Sequence, residues 1–289
     1  MEDALIQEFA ALAQRGVIPP LGENGEASVT VAGRVVGAAL NAYGQFFSGA
    51  QSTASFLLAA DGGRFVGAVC QGNEKHTSTM VAGAIALSEI YQHTLGSGRS
   101  SDLGADVRRG FERAHHRIRE INLRDVPLRR WTFASCFTST VKDLRGIGCS
   151  VTALAVEGTA AAVAHIGEGR ALRQRAGRLE RLTADHTLGG QPEYLAKGSR
   201  ELAEFHAEVV LKLLGYTEKA DVDYQALMVQ PGDLFILAGS LIRTVDVPAV
   251  LRQQSAADLT ALCRTLQLRT PLKERPALSA TYVAVKPLP

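Results

Sequence analysis

The sequence has few cysteines, few aromatic side chains and no long apolar run. Its four cysteines, Cys70, Cys136, Cys149 and Cys263, stand far apart, with no Cys-x-x-Cys pair and no histidine at zinc spacing. That spacing argues against a zinc ribbon or a disulfide framework and predicts reduced, mostly buried thiols. No stretch approaches the roughly 20 apolar residues of a membrane span. The N-terminus lacks a basic start followed by an apolar run, so no secretory signal is read there and a cytoplasmic location is expected. Neither sign of charge dominates: 31 basic and 29 acidic residues leave a net charge of +2, too balanced to argue for nucleic acid or a membrane surface. No interleaved basic and aromatic pattern, internal repeat or low-complexity tract occurs.

What is present is an ordinary globular composition, 46% hydrophobic and 21% charged, enough for a sizeable core. Arginine outnumbers lysine and alanine is abundant, which suggests a bacterial, GC-rich coding origin. Residues 3–15 read as a helix with Asp3 as cap and Leu5, Phe9 and Leu12 on one face, ended by Gly16 and Pro19-Pro20. Residues 1–27 are therefore expected to form a helical extension and linker, and 28–289 one domain. Val29–Val36 and Ser55–Ala60 read as strands, and Asp61-Gly62-Gly63 as a hairpin turn before a strand over Phe65–Gln71. Thr79–Leu95 and Asp106–Asn122 carry the strongest helical periodicity. Pro127–Arg145 has no regular pattern. A helix is expected from Ser199 to Leu214, a buried strand after Pro231-Gly232, short helices from Pro248 to Gln254 and over Ala256–Gln267, and a closing strand over Ala280–Val285. Antiparallel runs separated by paired helices predict an α+β fold.

The most informative stretch is 148–188. Gly148-Cys-Ser-Val-Thr leads into Ala161-Ala-Val-Ala-His-Ile-Gly-Glu-Gly-Arg-Ala, then Gly177-Arg-Leu-Glu-Arg-Leu-Thr-Ala-Asp-His-Thr. The pattern is strand, turn, strand, corner, strand, turn, strand, loop. It resembles the central hairpins of the metal-dependent Ser/Thr protein phosphatases of type 2C (the PPM family). The resemblance spans about 28–286 and implies a four-layer α-β-β-α sandwich of two antiparallel sheets flanked by helices.

It also implies where a two-metal phosphatase site would lie, and those positions are depleted of carboxylate. The first motif, Arg-x-x-Asn-Glu-Asp, falls on residues 38–43: Ala38 stands for the phosphate-holding arginine, Asn41 survives, and Tyr43 stands for the aspartate. Arg34 is out of register as a replacement. Gln71 replaces the aspartate of Asp-Gly, while Gly72 persists. Pro231-Gly232-Asp233-Leu234 matches the third motif, but Ser240 occupies its aspartate position, and Asp233 belongs to the turn. No aspartate follows Asp258, and Glu274, the sole carboxylate near the closing strand, is expected at the surface. Glu168 keeps a carboxylate at the Gly-Glu-Gly-Arg corner and is expected as a turn residue beside Arg170. Hard cations such as Mg²⁺ need several oxygen anions, so the expected metal, cofactor and catalytic residues are none.

The functional expectation is thus a pseudophosphatase, not an enzyme. It would be a regulatory or scaffolding protein bound to a protein partner, with a kinase, a phosphoprotein or an enzyme complex as the candidates. The alternatives are a residual or altered metal-dependent phosphoprotein phosphatase using Glu168, Arg34 or an unusual ligand set, and a small-molecule sensor using the empty cleft. Neither nucleic acid nor membrane is expected as a partner, and the sequence leaves the oligomeric state open. His115 and His116 are adjacent on a helix and point apart, which disfavours a metal pair. The arginines at 108, 109, 113, 117, 119, 124, 129 and 130 alternate with Glu112 and Glu120, the pattern of a solvated face.

Overall fold

The computed structural model describes residues 25–31, 34–43, 54–61, 63–72, 77–123, 147–190, 209–254, 258–271 and 279–287. The expected helix at 3–15 and the segment 127–145 lie outside them. Among the described residues, eleven strands form two antiparallel sheets. The first, six-stranded sheet contains β1 (Gly25–Val31), β2 (Arg34–Tyr43), β11 (Ser279–Val285), β10 (Leu234–Ala238), β7 (Arg170–Arg175) and β8 (Arg178–Arg181), in that order. The second, five-stranded sheet runs β3 (Ala54–Asp61), β4 (Arg64–Gly72), β5 (Cys149–Glu157), β6 (Ala160–Ile166) and β9 (Asp223–Met228).

Three apolar clusters define the layers. Leu58, Phe65, Leu154, Phe235, Leu237 and Val283 meet between the sheets. Val66, Ala68, Val151 and Ala153 point the other way, onto helices α1 (Thr77–Thr94) and α2 (Leu103–Leu123). Ile236, Tyr282 and Ala284 face α3 (Val247–Gln253) and α4 (Leu259–Leu268). Because β4 is covered on both faces, every one of its residues is buried, the pattern of a central strand. The architecture is the expected α-β-β-α sandwich.

Local chemistry fixes the helices. Asp102 caps α2 by accepting from the Ala105 N–H at 2.9 Å, and Val107, Phe111, Ala114 and Ile118 form its buried stripe. A Cβ on Gly110 would lie 3.0 Å from the Ile90 Cα, so glycine lets α1 and α2 approach closely. Asp246 and Asp258 cap α3 and α4 through the N–H groups of Ala249 and Ala261.

Three readings of the sequence need correction. The single strand expected over Val29–Val36 is two strands: β1 pairs with β2 in a hairpin, and β1 begins at Gly25, ahead of the expected domain start at 28. Apolar content runs through both strands, which hid the reversal between them. Within the helix expected to reach Leu214, residues 209–214 are not helical: Val210 bridges Thr187 and Leu214 bridges Cys149. β-branched Val209 and Val210 favour the extended form. Strand β9 was not foreseen. No helix among the described residues is long and apolar enough to cross a membrane.

Candidate functional site

Strand ends from both sheets meet at one end of the sandwich. Gln71, next to last in β4, lies opposite Ser150 of β5, and Gly72 lies opposite Cys149. Ser240 begins the 3-10 turn Ser240–Thr244 that follows β10. Both residues are buried and bonded to each other: Gln71 Nε2 donates to Ser240 Oγ at 3.1 Å, and the Ser240 N–H donates to Gln71 Oε1 at 3.1 Å. Two positions separated by most of the chain thus share one polar contact.

The corner Gly167-Glu168-Gly169 completes this end. Gly167 has φ +103°, and a Cβ there would fall 2.1 Å from Ser150 Oγ, so only glycine fits. The Glu168 N–H approaches Ser150 Oγ at 3.4 Å. The Glu168 carboxylate lies 3.8 Å from Arg243 Nη1, on the same turn as Ser240. Glu168 lies in the corner two residues before Arg170, whose guanidinium grips Asp185 through two hydrogen bonds, at 3.0 and 2.6 Å.

Behind the corner runs a chain of hydrogen-bonded and stacked side chains. Thr152 Oγ1 bonds His165 Nδ1 at 2.9 Å, and the rings of His165 and His186 lie 4.9 Å apart. His186 Nδ1 accepts from the Gly167 N–H at 3.2 Å, so its Nε2–H donates to Asp223 at 3.0 Å. Asp223 therefore orients His186, which holds the backbone carrying Glu168. Burial, with the nearby His186 charge second, pushes His165 down to about 4. His165 is neutral at pH 7, and its Nε2 has no hydrogen-bond partner among the described residues.

The other expected positions divide. Asn41 pairs with Thr281, whose carbonyl accepts from the Gly239 N–H at 3.1 Å, and Tyr43 ends β2 opposite Ser279. Their backbones therefore run to the same end as Ser240. Ala38 does not belong there: its side chain lies in the outer cluster with Leu262 and Cys263 of α4, because its place in the strand alternation puts it on the outer face. Arg34 opens β2 nine residues before Tyr43, roughly 30 Å away at strand rise, and cannot serve the site. Asp233 is structural: Arg175 holds it at 2.7 and 2.6 Å. Burial opposes its ionisation, yet Arg175 and the Gln230 N–H hold it below the usual carboxylate range. His115 is buried against the Thr217 carbonyl, while His116 is exposed. Glu274 lies outside the described residues. Sequence reasoning missed Arg243 and the Thr152–His165–His186–Asp223 chain. A histidine within the apolar run of β6 was the available signal.

Comparison with known proteins decides the fold. No protein-family model and no curated protein matches the chain, but solved structures do. The S. agalactiae serine/threonine phosphatase matches with TM-score 0.68 and 17% identity over 91% of this chain and 99% of its own. The Ser/Thr phosphatase Stp1 of Staphylococcus aureus gives 0.72 and 12%, over 92% and 98%. The PPM phosphatase MsPP of Mycobacterium smegmatis, in complex with cacodylate, gives 0.63 and 21%, over 90% and 99%. The fold is that of the type-2C phosphatases.

This finding corrects one expectation. Structures matching the type-2C fold over most of the chain are those of serine/threonine phosphatases, and no observation on the described residues positively shows inactivity. The expectation that the chain is not an enzyme is therefore withdrawn. The fold implies metal ions, and the described residues do not fit a two-metal centre. No three His, Cys, Asp or Glu among them are placed to hold an ion, and Gln71 and Ser240 direct their polar atoms at each other.

Proposed function

We propose that the chain is an altered phosphoprotein phosphatase, acting on phosphorylated protein segments at the sheet ends where Gln71, Glu168, Ser240 and Arg243 meet. The supporting observation is this convergence: β4, β10 and the β6–β7 corner bring their polar residues to one end of a type-2C sandwich. Hydrolysis needs a base for the attacking water and donors for the charge on the phosphoryl oxygens. The Glu168 carboxylate would take the water's proton as the water oxygen bonds phosphorus. The ester P–O bond breaks, and the serine or threonine oxygen takes a proton from solvent water as it leaves, while Glu168 passes the proton it took back to solvent. Gln71 and Ser240 supply neutral N–H and O–H groups where the family pattern supplies carboxylates, so the site is altered in charge.

The test is turnover of a phosphoserine peptide by the purified chain, with millimolar Mn²⁺, with Mg²⁺ and with chelator. The expected result is slow release of inorganic phosphate that Glu168→Ala abolishes. No release under any of the three conditions, or release indifferent to Glu168→Ala, overturns the reading.

A further inference from the structure

Among the described residues the two sheets end in four edge strands, β1, β8, β3 and β9, and the first three are guarded against pairing with another chain. β1 is broken by a register shift between Val29 and Thr30. β8 is four residues long and exposes Arg178, Glu180 and Arg181. Phe56, Leu57 and Leu58 of β3 are buried. Irregularity, short length, charge and cover are the usual defences of a sheet edge. β9 has none of them. It pairs with β6 without a register break, contains neither proline nor a basic residue, and exposes Asp223, Gln225, Ala226 and Met228.

The register of β9 fixes what its free edge offers. The Val229 N–H donates to the Thr159 carbonyl at 2.8 Å, so by strand alternation Leu227, Gln225 and Asp223 also turn their backbone groups toward β6. Tyr224, Ala226 and Met228 turn theirs outward. The side chains of these three share the helix face of the sheet. Tyr224 meets Phe111 of α2 edge-on, with ring centroids 6.2 Å apart. Ala226 and Met228 line a groove of about 590 Å³ beside Leu103 at the start of α2, and Met228 is 64% exposed. Charge is divided along this groove. Glu157, Ala160 and Met228 lie in one row across the sheet, and Asp102 lines the groove with them. At the other end the Arg108 guanidinium lies 4.5 Å over the Tyr224 ring.

We propose that β9 is a dimerisation edge, occupied by the same strand of a second copy paired antiparallel about Ala226. A two-fold axis there sets Ala226 opposite Ala226 and Tyr224 opposite Met228 of the second copy. All the outward N–H and C=O groups then meet, in about six hydrogen bonds. The same operation brings Arg108 of one copy to the carboxylate end of the other, twice over, and lays each exposed Met228 beside a tyrosine ring. The helices have room. α2 lies over β5 and β6, and β6 would stand three strand spacings, about 14 Å, from its counterpart. Packed helices need only about 8–10 Å, which leaves the groove for Tyr224, Met228 and Arg108. The pairing does not depend on the phosphatase reading.

The test is sedimentation velocity of the full chain from about 1 to 100 µM, the range of a small reversible interface. Wild type is expected to pass from monomer to dimer across it. Ala226→Pro removes an outward N–H and no bond to β6, the setting in which an edge strand tolerates proline. It should keep the protein monomeric while leaving it folded by its melting curve. Met228→Lys, which adds the charge that natural edges use, should do the same. Arg108→Glu should weaken the dimer at least about tenfold by facing carboxylates with a carboxylate. If Ala226→Pro is poorly folded, Met228→Lys carries the strand test. A wild type still monomeric at about 100 µM leaves the edge to a different chain and overturns the proposal. A dimer that survives the folded edge variants overturns it as well. A dimer lost in them but indifferent to Arg108→Glu overturns the antiparallel register.

Discussion

Arg64 opens strand β4 and Gln71 nearly closes it; both are buried polar residues, and the two ends treat charge in opposite ways. At the Arg64 end, the guanidinium donates to Asp106 at 2.7 Å, to Glu157 at 2.8 Å and to the carbonyls of Thr94 and Ser100. Burial works against ionising Asp106, but hydrogen bonds from Ser100 and Arg64 hold its carboxyl below the usual range. At the Gln71 end, the Gln71 amide meets the Ser240 hydroxyl, and behind them the neutral His165 imidazole is bonded to Thr152. A buried charge persists only with compensating partners. The first end is therefore a finished structural clamp between β4, β5 and α2. The second end is a polar contact built on neutral groups.

Breaking the clamp should have the largest effect. Asp106→Ala leaves Arg64 buried with Glu157 as its remaining carboxylate partner and should cost about 3–5 kcal/mol, read by urea denaturation. A loss below about 1 kcal/mol would erase the contrast between the ends. Acid should separate them next. His165 is held neutral at about 4, against roughly 6.5 in the unfolded chain. Below pH 6.5 the unfolded chain takes up the proton first, so stability falls as pH drops from about 6.5 to 4. The total loss is about 3 kcal/mol from this one residue, with His186, Asp185 and Asp223 as the titratable groups around it. Asp106 acts in a lower window: its depressed value contributes stability above about 3.9 that is lost only as pH falls further. His165→Asn should flatten the upper window and leave the lower one; a denaturation midpoint constant from pH 7 to 4.5 in wild type would refute the assignment. The smallest effect is expected from Gln71→Ala, which leaves the Ser240 N–H and hydroxyl without their partner and should cost about 2 kcal/mol. A loss as large as that of Asp106→Ala would show that the neutral end is as structural as the clamp.

Much of this was legible in the sequence, for identifiable reasons. Strands β5 to β8 follow their turn glycines, and α1 and α2 follow helical periodicity. β9 escaped because Asp223–Met228 is a largely exposed edge strand, where burial imposes no apolar pattern. Gln71 and Ser240 were legible as paired positions because each stands in a short motif at a strand end. Ala38 was misplaced because the alternation of β2 puts it outward, and a one-residue difference in register reverses the face. Arg243 gave no signal, since its closeness to Glu168 depends on a 3-10 turn that apolar spacing does not predict.

Strand β11 lies between β2 and β10 in the middle of its sheet, although it comes almost last along the chain. A growing polypeptide therefore holds β2 and β10 with open edges until residues 279–285 have left the ribosome. The first hairpin and the strand before α3 are joined late, through contacts of long sequence separation. Such topologies fold slowly and expose unpaired edges on the way. The same late insertion brings Thr281 against Gly239, so the turn carrying Ser240 and Arg243 takes its final shape in the step that closes the sheet.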